Sequence, residues 1–521
     1  MHWWQTAVIY QVYPRSFQDT DGDGVGDLPG IVARLPYLAE LGVDALWLSP
    51  IFVSPMEDFG YDIADYTGID PLFGSMADFD ALLAAAHALG LKVLLDFVPN
   101  HTSDRHPWFA ESRSSRQSGK RDWYLWREAA PRGGPPNNWL SEFGGSAWQF
   151  DEPTGQYYYH AFLAAQPDLN WRNAEVRAAM HAVMRFWLAR GVDGVRVDVM
   201  WHLIKDDQFR DNPPNPEYRA GEPPFRRLLP LYSADRPEVH EVVRGLRAVI
   251  DEFPERVLID EIYLPIERLV AYYGRDLCGA HLPFNFSLLE TPWRTQAIAQ
   301  LIDRYEAALP PGGWPNWVLG NHDRPRLATR IGPEQARVAA MLLLTLRGTP
   351  TLYCGDEIGM RQVAIAPDRA RDPAAPHVPG RDGCRTPMQW NGSAFAGFST
   401  AQPWLPPAED FATNNVACQR ADPASLFNLY RRLIALRRVQ PALTQGAYRP
   451  IAATGDVLAY MRGAAGDRVL VALNFGAEPA ALTLPSPGTV LLSSNAVRDG
   501  ENVSLSLTLR AHEGAIVALG A

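Results

Sequence analysis

An arginine and an aspartate stand two residues apart at the end of GVDGVRVD, residues 191–198. Because successive side chains of a β-strand alternate between its two faces, Arg196 and Asp198 are expected to project from the same face of a predicted strand. A guanidinium beside a carboxyl group favours the ionised form and lowers its pKa. This suits a carboxylate that attacks an electrophile without first losing a proton. Taken alone, such a pair is more often a surface ion pair.

Three further apolar segments end in polar side chains of the kind that catalysis uses. They are LKVLLDFVPNH (91–101) with Asp96, Asn100 and His101, RVLIDEIYLP (256–265) with Glu261, and NWVLGNHDRPR (316–326) with His322 and Asp323. Buried parallel strands are typically continuous apolar runs, and in a barrel of such strands the C-terminal ends carry the catalytic groups. We therefore expect the four segments to bring their carboxylates together at one mouth of a barrel.

The elements needed to position these groups are visible along most of the chain. Eight apolar segments alternate with stretches of helical periodicity such as DFDALLAAAHALG (78–90) and EVRAAMHAVMRFWLARG (175–191). The predicted strands are TAVIYQVYP, VDALWLSP, KVLLDFVP, GVRVDV, RVLIDE, AHLPFNF, NWVLG and TPTLYCGDE. Eight strands with intervening helices predict an α/β fold, the (β/α)₈ TIM barrel.

Two segments depart from this alternation. Residues 101–170 are irregular and too long for an ordinary connection, so they predict a domain inserted after the third strand. From residue 446 onward the chain changes to short alternating strands without a helical period, which predicts a C-terminal antiparallel β-sandwich domain over residues 446–521. The catalytic barrel is then expected to comprise residues 1–100 and 171–445.

The four polar segments, in this order, resemble the conserved regions of the α-amylase superfamily, glycoside hydrolase family 13. The resemblance covers essentially the whole chain, and the inserted segment would be domain B of that family. It implies that Asp198 is the nucleophile and that Glu261 is the general acid/base. Asp323 would be the third carboxylate, which binds sugar hydroxyls near the transition state.

The resemblance also implies which side chains line the subsite of the sugar whose bond is cleaved. They are His101, Arg196 and His322, with Tyr61 and Asp62 of FGYDIADY (59–66) and Arg385 of RDGCRTPMQW (381–390). The resemblance implies that Arg385 pairs with Asp62, and an arginine and a carboxylate can each bind adjacent hydroxyls and fix the orientation of a sugar. A pair that closes the far wall of the pocket implies exo action on a terminal glucose.

QPDLNW (166–171) resembles the segment that marks oligo-1,6-glucosidases and related α-glucosidases. The implied reaction is retaining hydrolysis, in which Asp198 forms a covalent glucosyl intermediate and Glu261 protonates the leaving oxygen. Such a mechanism needs the two carboxyl groups roughly 5 Å apart. Nearby acidic and apolar groups are expected to raise the pKa of Glu261. In related enzymes a valine after the nucleophile tends toward α-1,6 bonds, so Val199 favours isomalto-oligosaccharides, although maltose is not excluded.

Two alternatives use the same framework. An α-glucosyltransferase or a sucrose isomerase would form the same intermediate, and its distinguishing features would lie in acceptor-side loops such as residues 205–232. A catalytically inert, transporter-associated ectodomain of this fold would carry a membrane anchor and lack the catalytic acids. Neither condition fits this sequence.

A glycine-rich acidic loop, DTDGDGVGD, points to a metal ion. Its candidate ligands are Asp19, Asp21, Asp23, the Val25 carbonyl and Asp27. Such a loop can direct several oxygens at one hard cation, although the pattern departs from an EF-hand because position twelve is Gly30. An acidic surface turn would have the same pattern. In the family a calcium loop follows the first strand, so the resemblance implies a structural Ca²⁺, with Mg²⁺ as the alternative.

The composition narrows the partners and the compartment. The net charge of −11 argues against binding to nucleic acid or to an anionic membrane surface. No apolar run is long enough to span a membrane, and no charged leader with a cleavage site is visible. The four cysteines lack metal-ligand spacing and are typical of reduced thiols. We therefore expect a cytoplasmic enzyme that acts on a small oligosaccharide and has no obligate protein partner.

Overall fold

Eight parallel strands form the central sheet in a computed structural model that describes residues 1–375, 380–464 and 467–520. We label them β1 to β8 in chain order: Ile9–Val12, Ala45–Leu48, Lys92–Phe97, Gly194–Val197, Val257–Asp260, Leu282–Pro283, Asn316–Val318 and Thr349–Tyr353. Neighbours pair in parallel from β1 through β6 and from β7 to β8, and β8 pairs back to β1. A parallel bridge between Asn285 and Trp317 closes the circle between β6 and β7. The predicted TIM barrel is confirmed.

Helices cover the outside of the barrel. The helix Ala174–Ala189 illustrates why they form where they do: the Asn173 side chain accepts a hydrogen bond from the Glu175 amide at its start, and its buried apolar residues recur every three or four positions. The α-helices are Trp3–Thr6, Leu28–Leu41, Met76–Ala88, Pro107–Ser114, Ala174–Ala189, Val239–Asp251, Ile266–Leu269, Ser287–Glu290, Thr295–Ala308, Leu327–Ile331, Ala336–Thr345, Val416–Ala421, Leu426–Val439 and Pro441–Thr444. Short 3₁₀ helices span Pro14–Ser16, Arg121–Trp123, Met200–His202, Pro224–Arg227, Val270–Tyr273, Arg275–Leu277, Pro333–Gln335, Asp356–Ile358, Pro367–Arg369, Asp382–Cys384 and Ala394–Gly397.

Between β3 and the helix Ala174–Ala189 the chain leaves the barrel and forms its own small sheet. This sheet has three antiparallel strands in the order Trp126–Arg127, Gln156–Tyr159 and Trp148–Asp151. A separate hairpin, between β2 and β3, pairs Phe52–Val53 with Asp65–Ile69. The excursion is tied to the barrel by the buried Lys205, whose ammonium forms an ion pair with Asp168 and donates to Asn100 Oδ1 at 2.8 Å. This link holds the excursion against the C-terminal end of β3.

The last part of the chain is an antiparallel β domain with its own apolar core. Its main sheet has the strand order Ala447–Thr454, Val457–Ala464, Asp467–Asn474, Gly514–Leu519, Gly488–Ser493, Asn502–Val503. A second, two-stranded sheet pairs Ala480–Thr483 with Ser506–Leu509. The predicted antiparallel C-terminal domain is confirmed.

Two further sequence features concern the chain as a whole. Of the helices in the described parts of the chain, none is long and apolar enough to cross a membrane. The cysteines Cys278, Cys354, Cys384 and Cys418 are all unpaired. The thiols are therefore free in the folded protein.

Candidate active site

The C-terminal ends of β4 and β5 bring two carboxylates onto one guanidinium. Arg196 Nη1 donates to Asp198 Oδ1 at 2.7 Å, and Arg196 Nη2 lies 2.8 Å from Glu261 Oε2. The Val199 amide donates to the same Glu261 oxygen at 2.9 Å. Arg196 and Asp198 thus share a face of β4, as the spacing predicted, and Glu261 is held beside them. Two carboxylates bound to the two terminal nitrogens of one guanidinium are immediate neighbours.

A third carboxylate, Asp96 at the end of β3, belongs to the same cluster. It accepts from Arg196 Nη1 at 2.7 Å, and also from Trp47 Nε1 and Tyr61 Oη at 3.1 Å each. The sequence places Asp96 near the end of a strand but does not by itself indicate a role for it. Its register opposite Arg196 in the parallel pair β3–β4 explains the contact.

These three carboxylates share a single buried arginine, and this arrangement affects the pKa values of Asp198 and Asp96. Burial raises the pKa of Asp198 well above its usual value; Arg196 opposes this, whereas Glu261 and Asp96 add to it. Burial likewise raises the pKa of Asp96 to about 6. The expectation of a net lowered pKa for Asp198 is therefore wrong, because it counted the arginine without the burial and the two other acids. Asp96 and Asp198 both bind Arg196, and the charge of Asp96 adds to the rise in the pKa of Asp198, so these two acids titrate together.

Asp323, just beyond β7, is held in the opposite state. Its Oδ1 lies 2.8 Å from Arg385 Nη2 and 3.3 Å from Arg381 Nη1. Burial alone would raise its pKa, but His322, Arg385 and Arg381 outweigh burial and hold the pKa of Asp323 well below its usual range. A permanently ionised carboxylate is a strong acceptor for sugar hydroxyls.

A stack of rings connects Asp323 to the acidic cluster. The His322 ring lies between those of Tyr13 and Tyr61, with centroids 5.6 and 5.4 Å away. Tyr61 Oη lies 2.7 Å from His322 Nε2, and Gln11 Nε2 lies 2.8 Å from Nδ1. Burial lowers the pKa of His322 to about 3, so its ring is neutral. His101 joins the network with its Nε2 3.1 Å from the Tyr61 carbonyl oxygen. Tyr61, His101 and His322 therefore lie together, as the resemblance implied.

The expected ion pair between Arg385 and Asp62 is not formed. The Asp62 carboxylate accepts from Ser54 Oγ at 2.9 Å and from the amides of Glu57 and Asp58 at 2.9 and 3.0 Å. Burial raises its pKa to about 6, and these hydrogen bonds oppose the rise. Asp62 therefore stabilises its own loop, while Arg385 binds Asp323.

An ion pair between the same two segments is instead made by Asp58 and Arg381. Arg381 Nη2 lies 2.7 Å from Asp58 Oδ1 and 2.7 Å from Asp372 Oδ1. Gln166 Nε2 donates to Asp58 Oδ2 at 3.3 Å. Sequence reasoning missed Asp58 and Arg381, although Arg381 begins RDGCRTPMQW and Asp58 stands one residue before FGYDIADY.

The peptide after Asp198 has an unusual conformation. Val199 has φ 38° and ψ 47°, the left-handed region that β-branched residues rarely adopt. This turn starts the 3₁₀ helix Met200–His202 and directs the Val199 amide at Glu261. Backbone strain of this kind persists where surrounding contacts enforce it, and it is concentrated at functional sites.

The acidic loop after β1 places a carboxylate oxygen from each of Asp19, Asp21 and Asp27 within 4.8 Å of one another. Oxygen donors grouped at this spacing fit a hard divalent cation. Asp23 lies outside this group, and its carboxylate accepts from the Val25 amide at 2.7 Å. Its assignment as a ligand, with the Val25 carbonyl, stays a prediction.

Comparisons with known proteins agree with this arrangement. The family model for the alpha amylase catalytic domain matches residues 11–446, and a domain of unknown function, DUF3459, matches residues 445–516. A probable alpha-glucosidase of Rhizobium meliloti (strain 1021) is 45% identical over 503 residues, covering 93% of this chain and 91% of that protein. An oligo-1,6-glucosidase of Heyndrickxia coagulans is 37% identical, with 99% of both chains covered. The crystal structure of an alpha-glucosyl transfer enzyme, XgtA, superposes with a TM-score of 0.95 at 42% identity, with both chains fully covered.

Proposed function

The chain belongs to the alpha-amylase family, glycoside hydrolase family 13, and we propose that it is a retaining, exo-acting α-glucosidase. Membership makes it a glycoside hydrolase of small sugar substrates. The finer proposal is that it releases terminal glucose from short α-glucosides through a covalent glucosyl–Asp198 intermediate. The observation that carries it is the sharing of Arg196 by Asp198 and Glu261, with Asp323 held ionised nearby.

In the first step Asp198 attacks the anomeric carbon and Glu261 gives a proton to the leaving oxygen. The step needs Asp198 ionised and Glu261 protonated, and the hydrogen bond from Arg196 favours the ionised form of Asp198. In the second step Glu261 takes a proton from water, which displaces Asp198 from the opposite face of the sugar. Two displacements return the α configuration.

Exo action is supported by the charged groups around Asp323. Arg381 contacts Asp323 and forms an ion pair with the buried Asp58. Arg385 and Arg381 can each donate to hydroxyls, and the carboxylates of Asp58 and Asp323 can accept from them. Together these groups can bind the several hydroxyls of a terminal glucose.

We expect the enzyme to prefer isomaltose, with kcat/KM roughly 10-fold above that for maltose, the size of discrimination that one apolar contact provides. The reason is Val199, the residue after the nucleophile, where the threonine of related enzymes favours the α-1,4 bond. The measurement is the rate of glucose release from each disaccharide, with the configuration of the first-formed glucose read by NMR.

The matched variant is Val199→Thr, which exchanges a methyl group for a hydroxyl at nearly constant volume. It should narrow or reverse the preference. A wild-type enzyme that strongly prefers maltose would refute the linkage proposal, and release of β-glucose would refute the retaining mechanism.

A second candidate, α-glucosyl transfer, is favoured by the likeness to the transfer enzyme XgtA. The intermediate would be the same, and a sugar hydroxyl would replace water in the second step. Chromatography of products formed from concentrated maltose, isomaltose and sucrose distinguishes the two. New oligosaccharides or an isomerised disaccharide in excess of glucose would make transfer the main activity.

We also propose that Asp19, Asp21 and Asp27 hold a structural Ca²⁺, or alternatively Mg²⁺. A cation that binds only the folded protein adds about 2.7 kcal/mol to stability at 100 times its dissociation constant. We therefore expect a chelator to lower the Tm by a few degrees and added Ca²⁺ to restore it. Asp21→Asn should have the lower Tm from the start and show no response, whereas Asp23→Asn should respond as the wild type does. The proposal would be refuted if the chelator left the wild-type Tm unchanged in protein whose metal content had been measured.

For the cellular setting we propose the cytoplasm, without a nucleic-acid, membrane or obligate protein partner. The four unpaired cysteines support this, because reduced thiols are typical of cytoplasmic proteins. The test is fractionation of cells that express the intact protein.

A further inference from the structure

A glutamate in the excursion lies next to the turn that follows the nucleophile. Glu142 Oε1 is 3.8 Å from Nε2 of His202, the last residue of the 3₁₀ helix Met200–His202. His202 is four positions after Asp198, and the left-handed Val199 sets the direction of this turn. Glu142 therefore contacts the turn that follows the nucleophile.

Aromatic rings connect Glu142 to the sugar pocket. The Phe162 ring packs between His101 and His202, with centroids 5.3 and 5.6 Å away. Phe143, the residue after Glu142, packs on Phe162 at 5.5 Å and lies 5.0 Å below the Arg381 guanidinium. His101 and Arg381 belong to the pocket for the terminal glucose. Glu142 thus lies one ring beyond that pocket, on the side of the excursion.

Unlike the carboxylates of the acid cluster, the Glu142 carboxylate forms no hydrogen bond within the described part of the chain. Its side chain is 27% exposed, and burial raises its pKa to about 7 while Arg226 lowers it. His202 has a buried Nδ1 that also lacks a partner among the described residues, and burial lowers its pKa to about 3, so the ring is neutral. The partly exposed Glu142 carboxylate therefore has hydrogen-bonding capacity that a ligand can use.

We propose that Glu142, together with His202, binds the hydroxyl groups of the second sugar, the one that leaves with the cleaved bond or that accepts glucose in transfer. The inference rests on the proposed function and adds the acceptor side to it. The ligand class is a neutral, polyhydroxylated sugar. A carboxylate at this place disfavours an aglycone that carries a phosphate, because like charges repel in a partly desolvated site.

The test compares substrates that have a second sugar with one that has none. Glu142→Ala should lower kcat/KM for isomaltose and maltose by about 10- to 100-fold, mainly through KM, the loss typical of a hydrogen bond to a charged group. The same variant should hydrolyse α-glucosyl fluoride within about twofold of the wild type, since fluoride offers no hydroxyl to Glu142. Glu142→Gln keeps the shape and hydrogen-bonding atoms and should recover part of the loss.

Glu152→Ala provides the matched control, because Glu152 belongs to the same excursion and is exposed. This variant should hydrolyse the disaccharides and the fluoride at the wild-type rates. Equal losses of Glu142→Ala on disaccharides and on the fluoride would mean a structural role and overturn the inference, as would no loss on either. A wild-type enzyme that turns over none of these substrates would overturn the proposed function as well, and this failure shows before any variant is made.

Discussion

The variant Asp198→Ala is expected to lose at least roughly 10⁴-fold in kcat/KM on every α-glucoside, including activated ones, while remaining folded. Every substrate depends on this carboxylate because it makes the first bond to the anomeric carbon. The fold should persist because Arg196 keeps its contacts to Asp96 and Glu261. The measurement is hydrolysis of α-glucosyl fluoride, with circular dichroism as the check on folding.

Azide makes this experiment specific for a nucleophile. Azide can occupy the space left by the missing carboxylate and attack the sugar from the same face, which should restore turnover and yield β-glucosyl azide. Asp207→Ala, an exposed acid farther along the same loop, is the control and should retain full activity. A variant at position 198 that still hydrolyses aryl α-glucosides near the wild-type rate would end the assignment.

The variant Glu261→Gln is expected to show the second largest effect, and one that depends on the leaving group. Sugar leaving groups need protonation, so kcat/KM for disaccharides should fall by roughly 10²- to 10⁴-fold. Fluoride leaves without a proton, so the glucosyl–Asp198 intermediate should still form. It should then accumulate, because the amide cannot activate water. The isosteric amide retains an oxygen to accept from the Val199 amide, which preserves the local structure.

Two readouts check this prediction. Intact-mass spectrometry during turnover of the fluoride should detect the protein with one added glucosyl group. Added azide should release it as α-glucosyl azide, the configuration opposite to that obtained with Asp198→Ala. Equal losses on fluoride and disaccharide, with no accumulated adduct, would show that Glu261 is not the acid/base.

The sequence was sufficient for those parts of the site that follow from topology. Parallel strands in a barrel have their C-terminal ends on one rim, so Asp198, Glu261 and Asp323 could be placed together from three apolar runs and the residues that end them. The contact between Arg196 and Asp198 followed from the two-residue period of a strand. The TIM barrel and the antiparallel C-terminal domain were predicted on the same grounds.

Loop residues could not be placed in this way. Asp58 and Asp62 are four positions apart in one loop, and which of them faces the pocket depends on a turn whose hydrogen bonds engage the Asp62 carboxylate. Asp23 likewise turns to the Val25 amide. The raised pKa of Asp198 was also beyond the sequence, because it depends on burial and on the neighbouring carboxylates, which are brought together only by folding.

The left-handed conformation of Val199 matters for attempts to increase the thermal stability of the protein. Backbone strain of this kind costs on the order of 1–2 kcal/mol, so a substitution that relaxes the left-handed conformation can raise the thermal stability of the protein. Relaxation would also release the amide that holds Glu261 and turn the segment that carries His202. Directed evolution that selects for thermostability alone would therefore favour substitutions at this position that lower kcat. A screen should select for catalytic turnover and thermostability together.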